Sequence, residues 1–419
     1  MTGTADALDR PRVVLGVSGG IAAYKACELL RRFTESGHDV TVVPTEAALK
    51  FVGAPTWAAL SGKPVSADVW ADVHQVPHVR IGQTADLVVV APATADLLAK
   101  AAHGLADDLL TNTLLTARCP VVFAPAMHTE MWEHPATQEN VATLRRRGAL
   151  VIEPAEGRLT GVDTGKGRFP EPDEIFEIAT QVLARAGSAN VQDLVGRHVV
   201  VSAGGTREYL DPVRFLGNRS SGRQGYALAR TAVARGAEVT VVAANVSLVD
   251  PAGVKVVRVV TTAELRDAVL AAVSTADAVV MAAAPADFRP SSVSESKIKK
   301  ADGGSTSSIS LEQNPDILAE ISRDRVRPGA VIVGFAAETG DETGEIMEHA
   351  QAKLTRKGCD LLVVNDVSGG KVFGSDENEA VVLDASGAMT SVPRGSKSAL
   401  ANVIWDQVVR RLETGSGLR

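Results

Sequence analysis

Val13-Val14-Leu15-Gly16-Val17-Ser18-Gly19-Gly20 decides how the chain begins to fold. A short apolar run closed by a glycine turn reads as a strand buried on both faces. Residues 21–36 then carry apolar side chains at helical spacing, and residues 39–43 are apolar again. Strand, turn, helix and strand make one βαβ unit, whose two strands run parallel. Further apolar runs at 87–91, 121–124 and 150–153 alternate with helical patterns near 96–101, 107–116 and 135–147. That alternation predicts a mostly parallel sheet with helices on both faces.

A second start lies at 198–202, followed by a loop rich in Gly, Arg and Ser to Gly222, a helix over 224–235 and a strand over 238–243. Runs at 278–283, 331–336, 361–364 and 380–383 complete a second sheet. Ala186-Gly187-Ser188-Ala189-Asn190 is small and polar, as a linker is. The predicted organisation is therefore α/β with two Rossmann-like domains, residues 1–189 and 190–419. A length of 419 residues suits two or three domains better than one. Asp86 to Asp96 and Asp277 to Asp287 match position by position, each an Asp, a strand and a turn of small residues ending in Asp. Ligands of open α/β sheets sit beyond the carboxyl ends of strands, so both turns are candidate ligand walls.

Charge and composition exclude some functions. Lys plus Arg is 43 against 50 Asp plus Glu, a net charge of −7, and aromatic residues are 4%. Neither the field nor the stacking platforms of a nucleic-acid binder are present. The longest apolar stretches, 87–95 and 278–286, are shorter than the roughly 20 residues that cross a bilayer. Asp6, Asp9 and Arg10 break up any apolar signal core, so a cytoplasmic location is expected. Three dispersed cysteines, Cys27, Cys119 and Cys359, indicate neither a disulfide framework nor a paired-Cys metal site.

Ser18-Gly19-Gly20 at a strand-to-helix turn can lay backbone N–H groups against an anion. It is not the G-x-G-x-x-G of dinucleotide sites, and the next strand ends in Pro44-Thr45 rather than a ribose-gripping acid, so a mononucleotide such as FMN fits better than NAD(P). The stretch from Thr160 to Gly167 lacks the first Gly and the final Ser or Thr of a phosphate loop; its Gly-rich, charged composition is that of a mobile flap. His74, His78, His103, His128 and His134 cluster in sequence, but Pro77 interrupts helical pairing of His74 with His78. A histidine beside a flavin site is instead a candidate proton acceptor. In the second half, Lys297, Lys299 and Lys300 stand in a Ser-rich loop, Lys353 and Lys357 one helical turn apart, and Arg214, Arg219 and Arg223 in a Gly/Ser loop. Such a cationic set in an acidic chain suits a polyphosphate substrate. Asp287 and Asp316 are candidate magnesium ligands.

These residues carry a resemblance. Gly16 to Lys25, Ala91-Pro92-Ala93-Thr94, Pro125-Ala126-Met127 and Trp132-Glu133-His134-Pro135 are similar to the flavin-dependent cysteine decarboxylases. Ser202 to Glu208, Asp211 to Gly222, Lys297-Ile298-Lys299-Lys300, Asn314-Pro315-Asp316 and Gly334 to Thr339 are similar to the phosphopantothenate-cysteine ligases. Both sets in this order resemble the bacterial bifunctional coenzyme A biosynthesis proteins, from about residue 12 to 410. The resemblance implies a flavodoxin-like decarboxylase half and a ligase half with an inserted loop. It implies that 4'-phosphopantothenate is activated by CTP, with Mg2+ or Mn2+, to an acyl-cytidylate that cysteine attacks. It implies further that FMN would oxidise the thiol of phosphopantothenoylcysteine to a thioaldehyde, which lets CO2 leave, and would return hydride to give 4'-phosphopantetheine.

By the same resemblance His78 matches the catalytic base, while Ser18, Gly19, Gly20, Thr45, Thr94 and Ala95 match the flavin site. Asn218 and Arg214 match positions around the acyl intermediate, and Lys297 the flap lysine above it. Ala284, Asp287, Asn314, Pro315, Asp316, Ile317, Phe335, Lys353 and Lys357 match substrate and nucleotide positions, Asp287 also standing as a metal ligand. Two positions depart from the pattern: His128 stands where the family has an Asn for the substrate carboxylate, and Leu159-Thr160-Gly161-Val162-Asp163 has no thiol where the flap often carries Cys. Asp163, or a water held by the flap, is the expected replacement proton donor. A homo-oligomer is expected, with decarboxylase sites between subunits and ligase domains paired. Two alternatives, a dehydrogenase using NAD(P) and a non-catalytic flavin-binding regulatory subunit, lack respectively the dinucleotide fingerprint and the acidic tail; the chain ends in Glu413 to Arg419, short and nearly neutral.

Overall fold

The computed structural model describes residues 10–67, 76–158, 163–185, 192–298, 308–338, 346–366 and 377–416. The chain divides into two compact units, Met1–Gln192 and Asp193–Arg419.

The first unit runs β1 (Arg12–Val17), α1 (Ala23–Glu35), β2 (Asp39–Pro44), α2 (Glu46–Leu49), α3 (Ala54–Ser61), α4 (Pro77–Thr84), β3 (Leu87–Ala93), α5 (Ala95–His103), α6 (Leu109–Thr116), β4 (Val121–Pro125), α7 (Thr129–Glu133), α8 (Pro135–Arg146), β5 (Leu150–Val151), β6 (Ala155–Arg158), β7 (Thr164–Arg168) and α9 (Pro172–Ala184). Strands β1 to β5 form one parallel sheet in the order β2-β1-β3-β4-β5, the flavodoxin-like winding. Every residue of β3 is buried, which explains its unbroken apolar run. Its lower end is pinned by Asp86, whose carboxylate accepts from the Arg12 amide at 2.8 Å and from the Arg12 guanidinium. One face packs β3 against Leu97, Leu98, Leu110, Trp132 and Val141.

The second unit runs β8 (His198–Gly204), β9 (Glu208–Tyr209), β10 (Phe215–Leu216), α10 (Arg223–Ala234), β11 (Glu238–Ala244), β12 (Val254–Val259), α11 (Thr262–Val273), β13 (Ala278–Met281), β14 (Phe288–Pro290), β15 (Leu311–Gln313), α12 (Ile317–Arg323), β16 (Val331–Glu338), α13 (Ile346–Lys357), β17 (Leu361–Asp366), β18 (Glu377–Asp384), β19 (Met389–Ser396) and α14 (Lys397–Ser416). Its sheet has the order β12-β11-β8-β13-β16-β17-β18-β19. The first six strands are parallel and in the Rossmann order, and β18 and β19 extend them antiparallel. Asp277 repeats the part played by Asp86: its carboxylate accepts from the His198 amide at 2.9 Å at the start of β8. The C-terminal helix docks through Trp405, fully buried with its indole N–H on the Leu228 carbonyl, and through Arg235, whose buried guanidinium meets Asp193 and Asp406.

The two-sheet α/β architecture matches the expectation, with particular differences. Strand β5 ends at Val151 and β13 at Met281, both earlier than the apolar runs suggested. The glycine-rich stretch expected as a flap is strand β7 where it is described, paired antiparallel with β6. Strand β12 and the ribbons β9–β10 and β14–β15 escape a periodicity reading because they are short or half-exposed. The expected linker at 186–190, His74, Lys299, Lys300 and the flap residues 159–162 lie outside the described residues.

Candidate active sites at two switch points

In the first unit the chain winds away in opposite directions from β1 and β3, which opens a crevice at their carboxyl ends. Ser18, 2% exposed, closes its floor. Its hydroxyl donates to the Pro92 carbonyl at 2.8 Å and accepts from the Thr94 amide at 2.9 Å. Thr94 then caps α5 by accepting from Leu97, which leaves Ala95 as the first residue of that helix. Thr45 caps α2 and is held by its own amide on the Val17 carbonyl at 2.9 Å. Ser18, Thr45, Thr94 and Ala95 are thus gathered at one edge. A Cβ on Gly19 would drive into the Ala47 methyl, while one on Gly20 meets nothing nearer than Thr94 Cγ2 at 3.6 Å. The turn therefore lies flat on α2 and stays open beyond Gly20. With the positive end of α5 beside it, this cradle fits the phosphate of an anionic mononucleotide.

One strand over, β4 delivers Met127 and His128 to the same end of the sheet. His128 is the half-buried N-cap of α7. The Met127 amide donates to the Gly167 carbonyl at 3.0 Å, and Gly167, at φ +149°, has its missing Cβ pressed against the Met127 carbonyl. Only glycine allows β7 to lie this close. Lys166 and Arg145 both reach Glu153 at 2.6 Å, which anchors the hairpin to the end of α8. Burial raises the Glu153 carboxyl, but these two cations outweigh it and hold the group below its ordinary value. Asp163, just before β7, is exposed. Thr129 Oγ1 is buried without a hydrogen-bond partner beside Gly165.

His78 stands elsewhere. It lies in the first turn of α4, and its carbonyl accepts from Thr116 Oγ1 on α6 at 2.8 Å. Gly82 has no room for a Cβ against Thr116, so α4 and α6 pack tightly. The tie of His78 therefore runs to α6 and not to Ser18 or Thr94. Its Nδ1 is buried with no partner, an exception among buried polar atoms. Among the described residues no group of three or more His, Cys, Asp or Glu is arranged to hold a metal. His134 caps α8 instead.

The second unit repeats the device between β8 and β13. Ser202 Oγ accepts from the Ala283 amide at 3.0 Å, and Ala284 donates to the Gly204 carbonyl at 2.8 Å. Asn218, on an exposed loop, donates its amide to the Pro285 carbonyl at 2.8 Å, so Asn218 and Ala284 share this edge. Beneath them runs a buried polar chain. The Ala286 amide donates to Thr206 Oγ1, Thr206 bonds Thr262, and Glu208 accepts from both the amide and the hydroxyl of Thr262 at 2.8 Å. Asn314 completes it, its side chain donating to the Ala286 carbonyl and its amide to that of Asp287. Asn314 is thus a buried strut for the turn that exposes Asp287. Pro315 follows at the surface, and Ile317 enters the core.

Asp316 caps α12 through the Ala319 amide and pairs with Lys357 on α13. Burial raises its carboxyl; the Lys357 bond and the Ala319 amide hold it below the ordinary value. Both its oxygens are engaged in these contacts. Lys353 lies one turn before Lys357, and Phe335 is half-exposed on β16 after Gly334. Arg214 and the exposed Lys297 meet through Ile298, whose carbonyl accepts from Arg214 Nη2 at 3.0 Å and whose amide donates to Asp211 at 3.2 Å. Asp211, Glu208, Thr206 and Thr262 were not singled out from the sequence. Three of the four lie inside the Ser202 to Gly222 stretch, but what they hold is 50 to 90 residues away.

With that geometry in view, comparison with known proteins gives a consistent picture. Residues 2–184 match the family described as Flavoprotein, and residues 194–412 the family described as DNA/pantothenate metabolism flavoprotein C-terminal domain. The chain is 60% identical over 403 residues to the coenzyme A biosynthesis bifunctional protein CoaBC of Mycobacterium tuberculosis (strain ATCC 25618 / H37Rv), covering 95% of this chain and 96% of that one. Against the protein of the same name from Bacillus subtilis (strain 168) it is 42% identical over 394 residues, covering 93% and 94%. Among solved structures, the C-terminal domain of a CoaBC protein overlaps 53% of this chain and 99% of its own, at 32% identity and a TM-score of 0.44. A PPC decarboxylase mutant complexed with pantothenoylaminoethenethiol overlaps 40% and 95%, at 34% identity and a TM-score of 0.38. Two matching domain families in this order, and full-length identity at this level, place the chain in the family of bifunctional coenzyme A biosynthesis proteins.

Proposed function

We propose that the chain performs two consecutive steps of coenzyme A synthesis. Residues 190–419 form a phosphopantothenate-cysteine ligase, and residues 1–189 a phosphopantothenoylcysteine decarboxylase. The observation that carries this reading is that the two motif sets gather at the switch points of two differently wound sheets in one chain, Ser18 with Thr94 in one and Asn218 with Ala284 in the other.

In the ligase step the carboxylate of 4'-phosphopantothenate attacks the α-phosphorus of CTP, pyrophosphate leaves, and the amine of cysteine then displaces CMP from the acyl carbon. Lys297 and Arg214 supply fixed positive charge where the phosphorus centre gains negative charge. Asn218 and Ala284 flank the acyl group; Asp287, Asn314 to Ile317, Phe335, Lys353 and Lys357 surround the nucleotide. Magnesium or manganese would be held by the CTP phosphates together with Asp287, and would neutralise charge on the departing pyrophosphate.

In the decarboxylation step FMN, bound by Ser18, Gly19, Gly20, Thr45, Thr94 and Ala95, would supply oxidation of the substrate thiol and the later return of hydride. His78 takes the proton released from the substrate, for which its unpartnered buried Nδ1 is suited. His128 holds the substrate carboxylate, and Asp163 delivers the last proton. Because His78 is tied to α6 rather than to the cradle, the reading includes a homo-oligomer in which one copy's His78 serves another's cradle. Exposed Ile21, Tyr24, Leu115 and Met131 on the first unit, and Tyr209 and Phe215 on the second, are apolar surface of the kind that subunits cover. No helix among the described residues is long and apolar enough to cross a membrane, and a cytoplasmic enzyme acting on small molecules is proposed.

The test is incubation of the purified protein with 4'-phosphopantothenate, cysteine, CTP and Mg2+ while pyrophosphate, CO2 and 4'-phosphopantetheine are followed. All three are expected, and omission of CTP is expected to abolish all three. Absence of pyrophosphate, or of CO2 from supplied phosphopantothenoylcysteine, refutes the corresponding half.

A further inference from the structure

Asp211-Pro212-Val213-Arg214 is a sequence built to turn, because an Asp before Pro accepts amides two and three residues on. Asp211 does this with one oxygen, Oδ1, which takes the Val213 and Arg214 amides at 2.8 Å each. The turn needs nothing more. The second oxygen, Oδ2, nevertheless reaches across the fold to the Ile298 amide at 3.2 Å. Arg214, positioned by that same turn, donates its guanidinium to the Ile298 carbonyl at 3.0 Å. The Ser294 amide donates to the Leu210 carbonyl at 2.9 Å. Both backbone groups of Ile298 are therefore held from the 211–214 turn, and Ile298 directly follows Lys297.

We infer that Asp211 is a positioning residue that acts through Lys297 in acyl-cytidylate formation, an inference that rests on the ligase reading above. The side chain of Lys297 is exposed, and its four-carbon stem is free to sample many rotamers. Its ammonium meets the reacting phosphorus efficiently only if its backbone origin is fixed. Asp211 is fully buried, where a carboxylate is retained only with several donors. Burial raises its carboxyl, and the amides of Val213, Arg214 and Ile298 bring it below its ordinary value, so the bond to Ile298 is charge-assisted at neutral pH. One carboxylate thus couples the loop of Arg214 and Asn218 to the segment of Lys297.

The experiment uses the full-length protein with Asp211→Asn, Lys297→Gln and the double variant. Asp211→Asn is expected to slow single-turnover pyrophosphate release about tenfold, near 1.4 kcal/mol of barrier, while the KM for CTP stays within about twofold. The double variant is expected to lose less than the product of the two single losses, because the part of the Asp211 effect that runs through Lys297 is already gone, leaving only the part that runs through Arg214. Losses that multiply in the double variant overturn the inference. Limited trypsin digestion gives a reading independent of activity: cleavage after Lys297 is expected to accelerate in Asp211→Asn, and an unchanged rate there overturns the pinning. If no variant and not even the wild type releases pyrophosphate, the ligase reading fails, and the trypsin rates still decide the pinning. Should Asp211→Asn misfold, Ile298→Pro removes the amide that Asp211 accepts, and also fixes φ at 298 and restricts Lys297; it is expected to slow pyrophosphate release at least as much, and a wild-type rate overturns the inference.

Discussion

The hydroxyl of Ser18 accepts the amide of Thr94 at 2.9 Å across the β1–β3 switch point, and in the second unit the hydroxyl of Ser202 accepts the amide of Ala283 at 3.0 Å across β8–β13. A serine is the smallest side chain able to hold such a turn without filling the crevice. Removing the hydroxyl in Ser18→Ala leaves the Thr94 amide short of its acceptor, at about 1–3 kcal/mol, while the Pro92 carbonyl keeps the Ser18 amide at 3.2 Å. Flavin affinity is expected to weaken by roughly tenfold, read by fluorescence titration of the flavin-free protein. Wild-type affinity in this variant counts against the cradle.

Gly167→Ala places a methyl group against the Met127 carbonyl at a backbone conformation that costs a non-glycine residue about 1–3 kcal/mol. The hairpin is expected to lift from His128, reducing decarboxylation of supplied phosphopantothenoylcysteine while ligation continues at its usual rate. Equal loss in both activities contradicts a local effect.

Lys297→Gln removes a charge from the transition state but no contact that the nucleotide needs in the ground state. CTP binding by calorimetry is expected to stay near the wild-type value while pyrophosphate release slows at least a hundredfold, about 2.7 kcal/mol. Matching rates in the two proteins refute the role.

Asp163→Asn leaves a side chain of the same shape that cannot give up a proton. Rapid-quench product analysis is expected to show CO2 release at the normal rate and slower appearance of 4'-phosphopantetheine. Unchanged product formation assigns the last proton to water.

The acid limb of stability is expected to depend on Glu153. Its carboxyl ordinarily titrates near 4.5; burial raises it, but Lys166 and Arg145 bring it lower in the native state. A group lowered by folding stabilises the native state above its unfolded value and loses that contribution as pH falls through the native one. Thermal midpoints measured from pH 7 down to pH 3 should therefore fall more steeply for the wild type than for Glu153→Gln. Parallel curves would exclude this anchor as a source of acid sensitivity.

How much was readable in advance differs by element. The strands β1, β3, β8 and β13 are buried on both faces, so their apolar runs are unmistakable and their number and order imply the two sheets. β12 is mostly exposed or half-buried without a period of two, and the ribbons are two or three residues long, too short for periodicity to register. Lys166 looked like part of a flap because glycines surround it, yet those glycines are the condition for a strand to pass close to Met127. Asp316 read as a metal ligand, whereas its oxygens cap α12 and meet Lys357, a partner 41 residues away.

From the one-dimensional chain came the α/β class, the two starts, the absence of a dinucleotide fingerprint and the residues with reactive side chains, because local propensity and spacing depend only on near neighbours. The tertiary structure alone decided that Ser18 touches Thr94, that Glu208 supports Thr262, that the His78 carbonyl is tied to Thr116 on α6, and that Asp211 holds the neighbour of Lys297. Those contacts join residues that are far apart in sequence. Their geometry is set by how helices and sheets pack, which no local pattern encodes.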